Sequence, residues 1–224
     1  FGKKLLPKQL FDGWEANDKG AVVASTHPNG SHVQSNNKGK GRLIVVVRNL
    51  KDTLVSLHHF RGEPKDGWFG NQHGPGSFNR WIDLETCSNA YGNAFQWVKI
   101  SADAVEDVGP KRALVIYYED LILQFDSELR RINEFLGLKA LSEAKAIAVR
   151  KECSIENMRS NSDDRFQATL RKGKIGDWKN YLDDEHWEQV DRIFNEVLGD
   201  VELAKQLQLY QRKDTLTTGV FNFV

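Results

Sequence analysis

Cysteine is scarce in this chain. Only Cys87 and Cys153 occur among 224 residues, and they form no CxxC pair. That excludes a disulfide framework and suits a reducing compartment. Long apolar runs are also missing: no stretch approaches the roughly 20 residues of a membrane span, and no signal-peptide pattern is visible. Net charge is absent as well, because 31 Lys and Arg balance 31 Asp and Glu. A general nucleic-acid binder carries a basic excess, so neither nucleic acid nor a membrane is expected as a partner. A small basic pocket for one phosphorylated ligand remains compatible with neutrality. No internal repeat is evident. An initiator methionine is lacking too, since the chain opens on Phe1. The expectation is that the natural N-terminus, with any targeting or anchoring segment, lies upstream.

What is present is ordinary globular composition, 40% hydrophobic and 28% charged, in a length suited to one sizeable domain or two small ones. Three short apolar runs read as buried strands: 21–24, 43–47 and 113–117. Helices alternate with them. One is expected from Asp52 to about Phe60 and another near 85–106. Phe125, Leu129, Ile132, Phe135 and Leu136 have helical spacing with Gly137 as the stop, and a further helix covers Ser142 to Lys151. Trp187, Val190, Phe194, Val197 and Leu198 mark an amphipathic helix, and Leu203, Leu207 and Tyr210 continue helically into the tail. Residues 29–42, 61–80 and 159–176 are polar or glycine-rich and read as loops. Strands alternating with helices imply a parallel α/β sheet.

The run Leu43-Ile44-Val45-Val46-Val47 ends abruptly in Arg48. Helix-starting residues follow at once, and Ser56 sits two turns further on. In a parallel sheet the C-terminal end of a strand is where anionic ligands dock. An arginine there can grip a phosphate with two hydrogen bonds, and the following helix N-terminus adds its dipole.

Four separated blocks carry a resemblance to the cytosolic-type sulfotransferases that use PAPS (3′-phosphoadenosine 5′-phosphosulfate). They are Thr26-His27-Pro28; Arg48-Asn49-Leu50-Lys51-Asp52 through Ser56 to His59-Phe60; Tyr117-Tyr118-Glu119-Asp120-Leu121, followed by Arg130 to Gly137; and Arg171-Lys172-Gly173-Lys174-Ile175-Gly176-Asp177-Trp178-Lys179-Asn180. The resemblance implies a three-layer α/β/α fold with a central parallel sheet, related to the P-loop nucleotide kinases. It implies a sulfotransferase domain over residues 1–198 with a C-terminal helical tail over 199–224. It also implies transfer of a sulfuryl group from PAPS to a hydroxyl or amine of a small acceptor, leaving 3′,5′-bisphosphorylated adenosine (PAP). It further implies that no metal is needed, that the setting is cytoplasmic, and that the protein is a monomer or weak homodimer.

The residues take roles through the same resemblance. Arg48 and Ser56 match the family's 3′-phosphate ligands. Leu170, Arg171, Lys172 and Gly173 match the loop that closes over that phosphate, where glycine lets backbone approach an anion. Tyr118 matches a contact near the adenosine. Cys153, Ser154 and Ile155 align with the residues that hold adenine. His27 matches the catalytic base, a role that suits a group titrating near neutral pH. His58 and His59 read as a helix face rather than a metal site, because no ligand spacing accompanies them.

Departures from the family pattern are equally specific. The N-terminal strand and phosphate loop that hold the donor's 5′-phosphosulfate are not found. Gly39-Lys40-Gly41 precedes a strand instead of following one, and Gly74-Pro75-Gly76-Ser77 lacks the Lys-Ser/Thr ending. The expected fold therefore lacks that strand and loop, and the chain is expected to be N-terminally incomplete. Cys153 and Ile155 stand where the family prefers Thr and Phe. Ser25 stands where many relatives carry Lys, and Asp183-Asp184 replaces the Thr-Val centre of a dimerisation motif. A non-catalytic PAP- or PAPS-binding protein, or an inactive fragment without the 5′-loop, is the alternative. A nucleotide kinase would need a Walker-type loop and magnesium ligands, and neither is visible.

Overall fold

The computed structural model describes residues 42–62, 94–161, 167 and 170–211. The expected strand at 21–24, His27 and the aromatic loop at 63–80 lie outside them. Two strands, β1 (Leu43–Val47) and β2 (Ala113–Tyr117), pair in parallel with Leu43 opposite Ala113 and Val47 opposite Tyr117. Helix α1 (Leu50–Gly62) follows β1 directly, and α2 (Ala94–Val108) precedes β2. Next come α3 (Tyr118–Leu123), α4 (Phe125–Leu136), α5 (Glu143–Glu152) and α6 (Ile155–Ser160). A 3-10 turn at Asp177–Asn180 leads to α7 (Asp184–Leu198) and α8 (Glu202–Gln211).

Periodicity explains which faces are buried. Along β1, Val45 and Val47 are buried while Ile44 and Val46 are 37% and 46% exposed, the alternation that a pleated strand imposes. Helix α2 turns Phe95, Val98, Ser101 and Ala104 inward, and α7 turns Val190, Ile193, Phe194 and Leu198. Phe95, Val98 and the four α7 residues meet Val45, Val47, Leu50 and Leu54 in one core. Leu203, Ala204 and Leu207 of α8 belong to the same cluster, so the segment after residue 198 packs into the body of the fold as far as Gln211. A smaller cluster joins Val55, Trp178 and Leu182. It seats the 3-10 turn on α1.

Local stops and starts follow the sequence. Gly137 closes α4 at φ 69°, a left-handed position where glycine carries no Cβ penalty. Ser142 caps α5 by accepting from Lys145 N, and Ser154 caps α6 by accepting from Asn157 N at 3.2 Å. Helix α6 occupies 155–160, so its last two residues fall where the loop expected over 159–176 begins; six residues are too few to show a helical period. Asp183 caps α7, accepting His186 N at 2.9 Å. Asp184 accepts the Trp187 indole N–H at 2.9 Å. The unusual Asp183-Asp184 pair thus has work within its own helix start.

Candidate functional site

The parallel register builds the site. Because Val47 faces Tyr117, the next residues on each strand emerge side by side. Arg48 lays its guanidinium over the Tyr118 ring at 4.5 Å, close to the spacing of neighbouring strands. The Tyr118 hydroxyl donates to Gly173 O at 3.0 Å, and Arg48 Nη2 donates to Lys174 O at 2.9 Å. Two strand ends and a loop 126 residues from Arg48 and 55 from Tyr118 therefore meet at one corner. Burial pushes the Tyr118 phenol above its ordinary value, against the pull of Arg48, so it stays a neutral donor.

Gly173 is required at this meeting. Its φ is 64°, and an added Cβ would lie 2.9 Å from Ile155 Cδ1 and 3.4 Å from the Tyr118 hydroxyl. Ile155 thus packs against the Gly173 backbone. Ser56 is half-buried on α1. It lies four residues after Asp52, on the same stripe of α1.

A buried polar network holds the corner. Asn49 Nδ2 donates to Asp52 Oδ2 at 2.9 Å and to Glu119 Oε1 at 2.8 Å, and Asn49 N donates to Glu119 Oε1 at 3.0 Å. Asn49 Oδ1 accepts Asp52 N at 2.9 Å, which caps α1. Asp52 in turn accepts Gly176 N at 2.7 Å and Trp178 N at 2.9 Å. Burial raises the Glu119 carboxyl above its ordinary range, although the Asn49 hydrogen bonds and Arg48 oppose the shift. Sequence reasoning singled out none of Asn49, Asp52 and Glu119 as site residues. The Asn-x-x-Asp spacing of a helix cap was the available signal.

Arg171 and Lys172 are placed beside Asp177. Arg171 Nη1 donates to Asp177 Oδ2, and its guanidinium lies 5.4 Å from the Tyr181 ring. Lys172 Nζ reaches Asp177 Oδ1 at 3.2 Å and the Tyr181 hydroxyl at 3.0 Å. Burial pushes the Asp177 carboxyl up, but hydrogen bonds from Arg171, Asn180 and Lys172 outweigh it and hold the group below the usual range. Donating to the Tyr181 hydroxyl and to Asp177 holds the Lys172 ammonium above its ordinary value. Arg159 donates to the carbonyls of Leu170, at 3.1 Å, and Arg171. It ties the loop to α6.

Tyr118, Cys153, Ser154, Ile155, Lys172 and Gly173 share one cavity of 340 Å³, whose far wall is apolar. Burial raises the Cys153 thiol above its ordinary value. Among the described residues no cluster of three or more His, Cys, Asp or Glu could hold a metal ion, and no helix is long and apolar enough to cross a membrane.

Among the described residues three arginines keep a buried guanidinium nitrogen without a protein acceptor, Arg48, Arg112 and Arg171, and two of them belong to this corner. Arg48 Nε and Arg171 Nε are buried and have no protein acceptor. A buried unsatisfied donor costs about 1–3 kcal/mol, so two of them around a Cβ-free glycine fit an anion with oxygens to spare. Fold and site together define the class: a parallel α/β protein with a guanidinium-and-glycine corner at its strand ends.

The chain belongs to the sulfotransferase family. The family's sulfotransferase domain matches residues 16–202. Sulfotransferase 6B1 of Danio rerio is 28% identical over 171 residues, covering 75% of this chain and 55% of the relative. Human sulfotransferase 6B1 is 30% identical over 186 residues, covering 76% and 55%. Cytosolic sulfotransferase 10 of Arabidopsis thaliana is 28% identical over 170 residues, covering 70% and 50%. The cytosolic branch is therefore the one matched, and the chain spans about half the length of these relatives. A mouse sulfotransferase SULT7A1 solved in complex with PAP superposes with a TM-score of 0.63 at 25% identity, covering 75% of this chain and 62% of that one. Retinol dehydratase with androsterone and PAP shares the fold, with a TM-score of 0.59 over 72% of this chain and 48% of its own, at 22% identity.

Proposed function

We propose that this chain supplies the 3′-phosphoadenosine half of a PAPS-dependent sulfotransferase. The observation that carries the reading is the pair of buried, acceptor-less Nε–H donors on Arg48 and Arg171. Relatives of this fold are known in complex with PAP, whose 3′-phosphate would fill that requirement. Arg48, Ser56 and the loop Leu170–Gly173 would hold this phosphate. Tyr118, Cys153, Ser154 and Ile155 would line the base, in the cavity they already share. Bound PAPS supplies the sulfuryl group.

His27 is the general base in this reading. It takes the proton of the acceptor hydroxyl or amine as the new bond to sulfur forms and the bond to the phosphate oxygen breaks. The acceptor is a small molecule in a cytoplasmic setting, and the transfer needs no metal. A PAP-binding protein without transfer activity uses the same corner, and turnover separates the two. The full-length protein should move radiolabelled sulfate from PAPS to a phenol or alcohol, and His27→Ala should lose turnover while retaining PAP. Retained turnover in His27→Ala would remove the base assignment. A full-length protein that binds PAP but transfers to no acceptor would favour the non-catalytic reading.

A further inference from the structure

We propose that Asp52 is the positioning residue that joins the two halves of the 3′-phosphate site. The inference rests on the reading that this corner binds PAP. Asp52 is fully buried, and its carboxylate faces three donors: Gly176 N at 2.7 Å, Trp178 N at 2.9 Å and Asn49 Nδ2 at 2.9 Å. Arg48 Nη2 lies 3.9 Å away, one helical turn back. No other carboxylate on α1 is so placed, because Asp52 is the one acid the helix carries.

The loop from Arg171 to Gly173 is short, and its downstream end is fixed at two points. Lys174 O accepts Arg48, and two residues later Gly176 N donates to Asp52. Gly176 sits at φ 74°, which turns the backbone so that its own N–H and that of Trp178 both reach one carboxylate. Asp52 therefore sets where Arg171 and Lys172 stand relative to Arg48 and Ser56. It touches no ligand in this scheme. Its partners on the turn are the backbone N–H groups of Gly176 and Trp178, while the Asn49 side chain holds it from its own element.

An asparagine in its place would present one oxygen and one NH₂. The NH₂ would oppose a backbone N–H, donor against donor, and one end of the turn would let go. A charged acceptor holds such groups about twice as strongly as a neutral one. Displacing catalytic or binding groups by about 1 Å can cost roughly a hundredfold.

The test compares PAP with 5′-AMP, which lacks only the 3′-phosphate, by isothermal titration on wild type and Asp52→Asn. Wild type should bind PAP at least about tenfold tighter than 5′-AMP, as expected for one charge-assisted contact. If wild type shows no such preference, the PAP reading itself fails. Asp52→Asn should lose most of that preference while its 5′-AMP affinity stays within about twofold of wild type. A merely structural Asp52 would weaken both ligands together, and that result would overturn the proposal. Hydrogen exchange on wild type serves if the variant does not fold. PAP should raise protection of the Gly176 and Trp178 amides, which donate to Asp52 and not to the ligand; unchanged protection would overturn it equally.

Discussion

Replacing Gly173 by alanine perturbs the corner at its tightest point. Two costs are separable. The residue sits at φ 64°, where an L side chain costs about 1–2 kcal/mol. Its new Cβ would lie 2.9 Å from Ile155 Cδ1, closer than packed carbons approach, and forced overpacking costs about 1–3 kcal/mol. Gly173→Ala should therefore destabilise by about 2–5 kcal/mol, the sum of those two ranges. Ile155→Val deletes the opposing methyl, at about 0.5–1.5 kcal/mol alone. In the double variant the steric part should vanish while the dihedral part remains. The pair should then be less destabilised than the sum of the singles, by at least about 1 kcal/mol. Urea unfolding of the four proteins closes the cycle. Additivity within about 0.5 kcal/mol would refute the contact, and an unaffected Gly173→Ala would refute the backbone argument as well.

Three further outcomes follow from the same geometry. Arg48→Ala should weaken PAP about 10- to 150-fold, the equivalent of one charge-assisted bond of about 1.5–3 kcal/mol, as read by titration calorimetry; an unchanged affinity would remove Arg48 from the site. Asp177 has a carboxyl held below the ordinary range by Arg171, Asn180 and Lys172 against its own burial, so its pairing stabilises above the unfolded-state value and is lost as pH falls through the lower folded-state value. The stability gap between wild type and Asp177→Asn should accordingly be constant from pH 7 to about 5 and close toward about pH 2, as measured by chemical unfolding; a gap that widens in acid would contradict it. Lys51 is buried between the Trp178 and Trp187 rings at 4.6 and 4.9 Å and donates to Asp191 and Gln211 O, so Lys51→Met should cost about 1–3 kcal/mol in thermal or urea melts; no loss would mean that the ammonium is replaceable by packing.

Much of the scaffold is legible in the residues because the signals are periodic. The runs at 43–47 and 113–117 are apolar and bounded, and both are strands. The spacing of Phe125, Leu129 and Ile132 predicts α4, and Gly137 ends it. Arg48, Tyr118 and Gly173 are all brought to one corner. What is not legible is pairing across the chain. Nothing in Asp52 announces that it will meet Gly176 and Trp178, because that contact depends on where the 3-10 turn seats on α1. Asp177 sits within a motif read for its cations, yet it is the carboxylate those cations hold. Helix α8 shows the same limit. Its apolar stripe predicts a helix, but only packing reveals that Leu203, Ala204 and Leu207 complete the core beside the strands.

The departures from the family also take physical form. Ile155, where an aromatic is usual, leaves its methyl against Gly173 and opens onto a cavity with an apolar wall. In the proposed site a bound base would rely on aliphatic contact and on the Tyr118 ring, which Arg48 covers on one side. Asp183-Asp184 is spent on capping α7 and on the Trp187 indole.

The central claim is that the strand-end corner recognises a 3′-phosphate. Titration of the 224-residue chain with PAP and with 5′-AMP, side by side, tests it most directly. The account predicts saturable one-to-one binding of PAP, at least about tenfold tighter than 5′-AMP. Equal affinities for the two nucleotides, or no PAP binding by the folded chain, would contradict it.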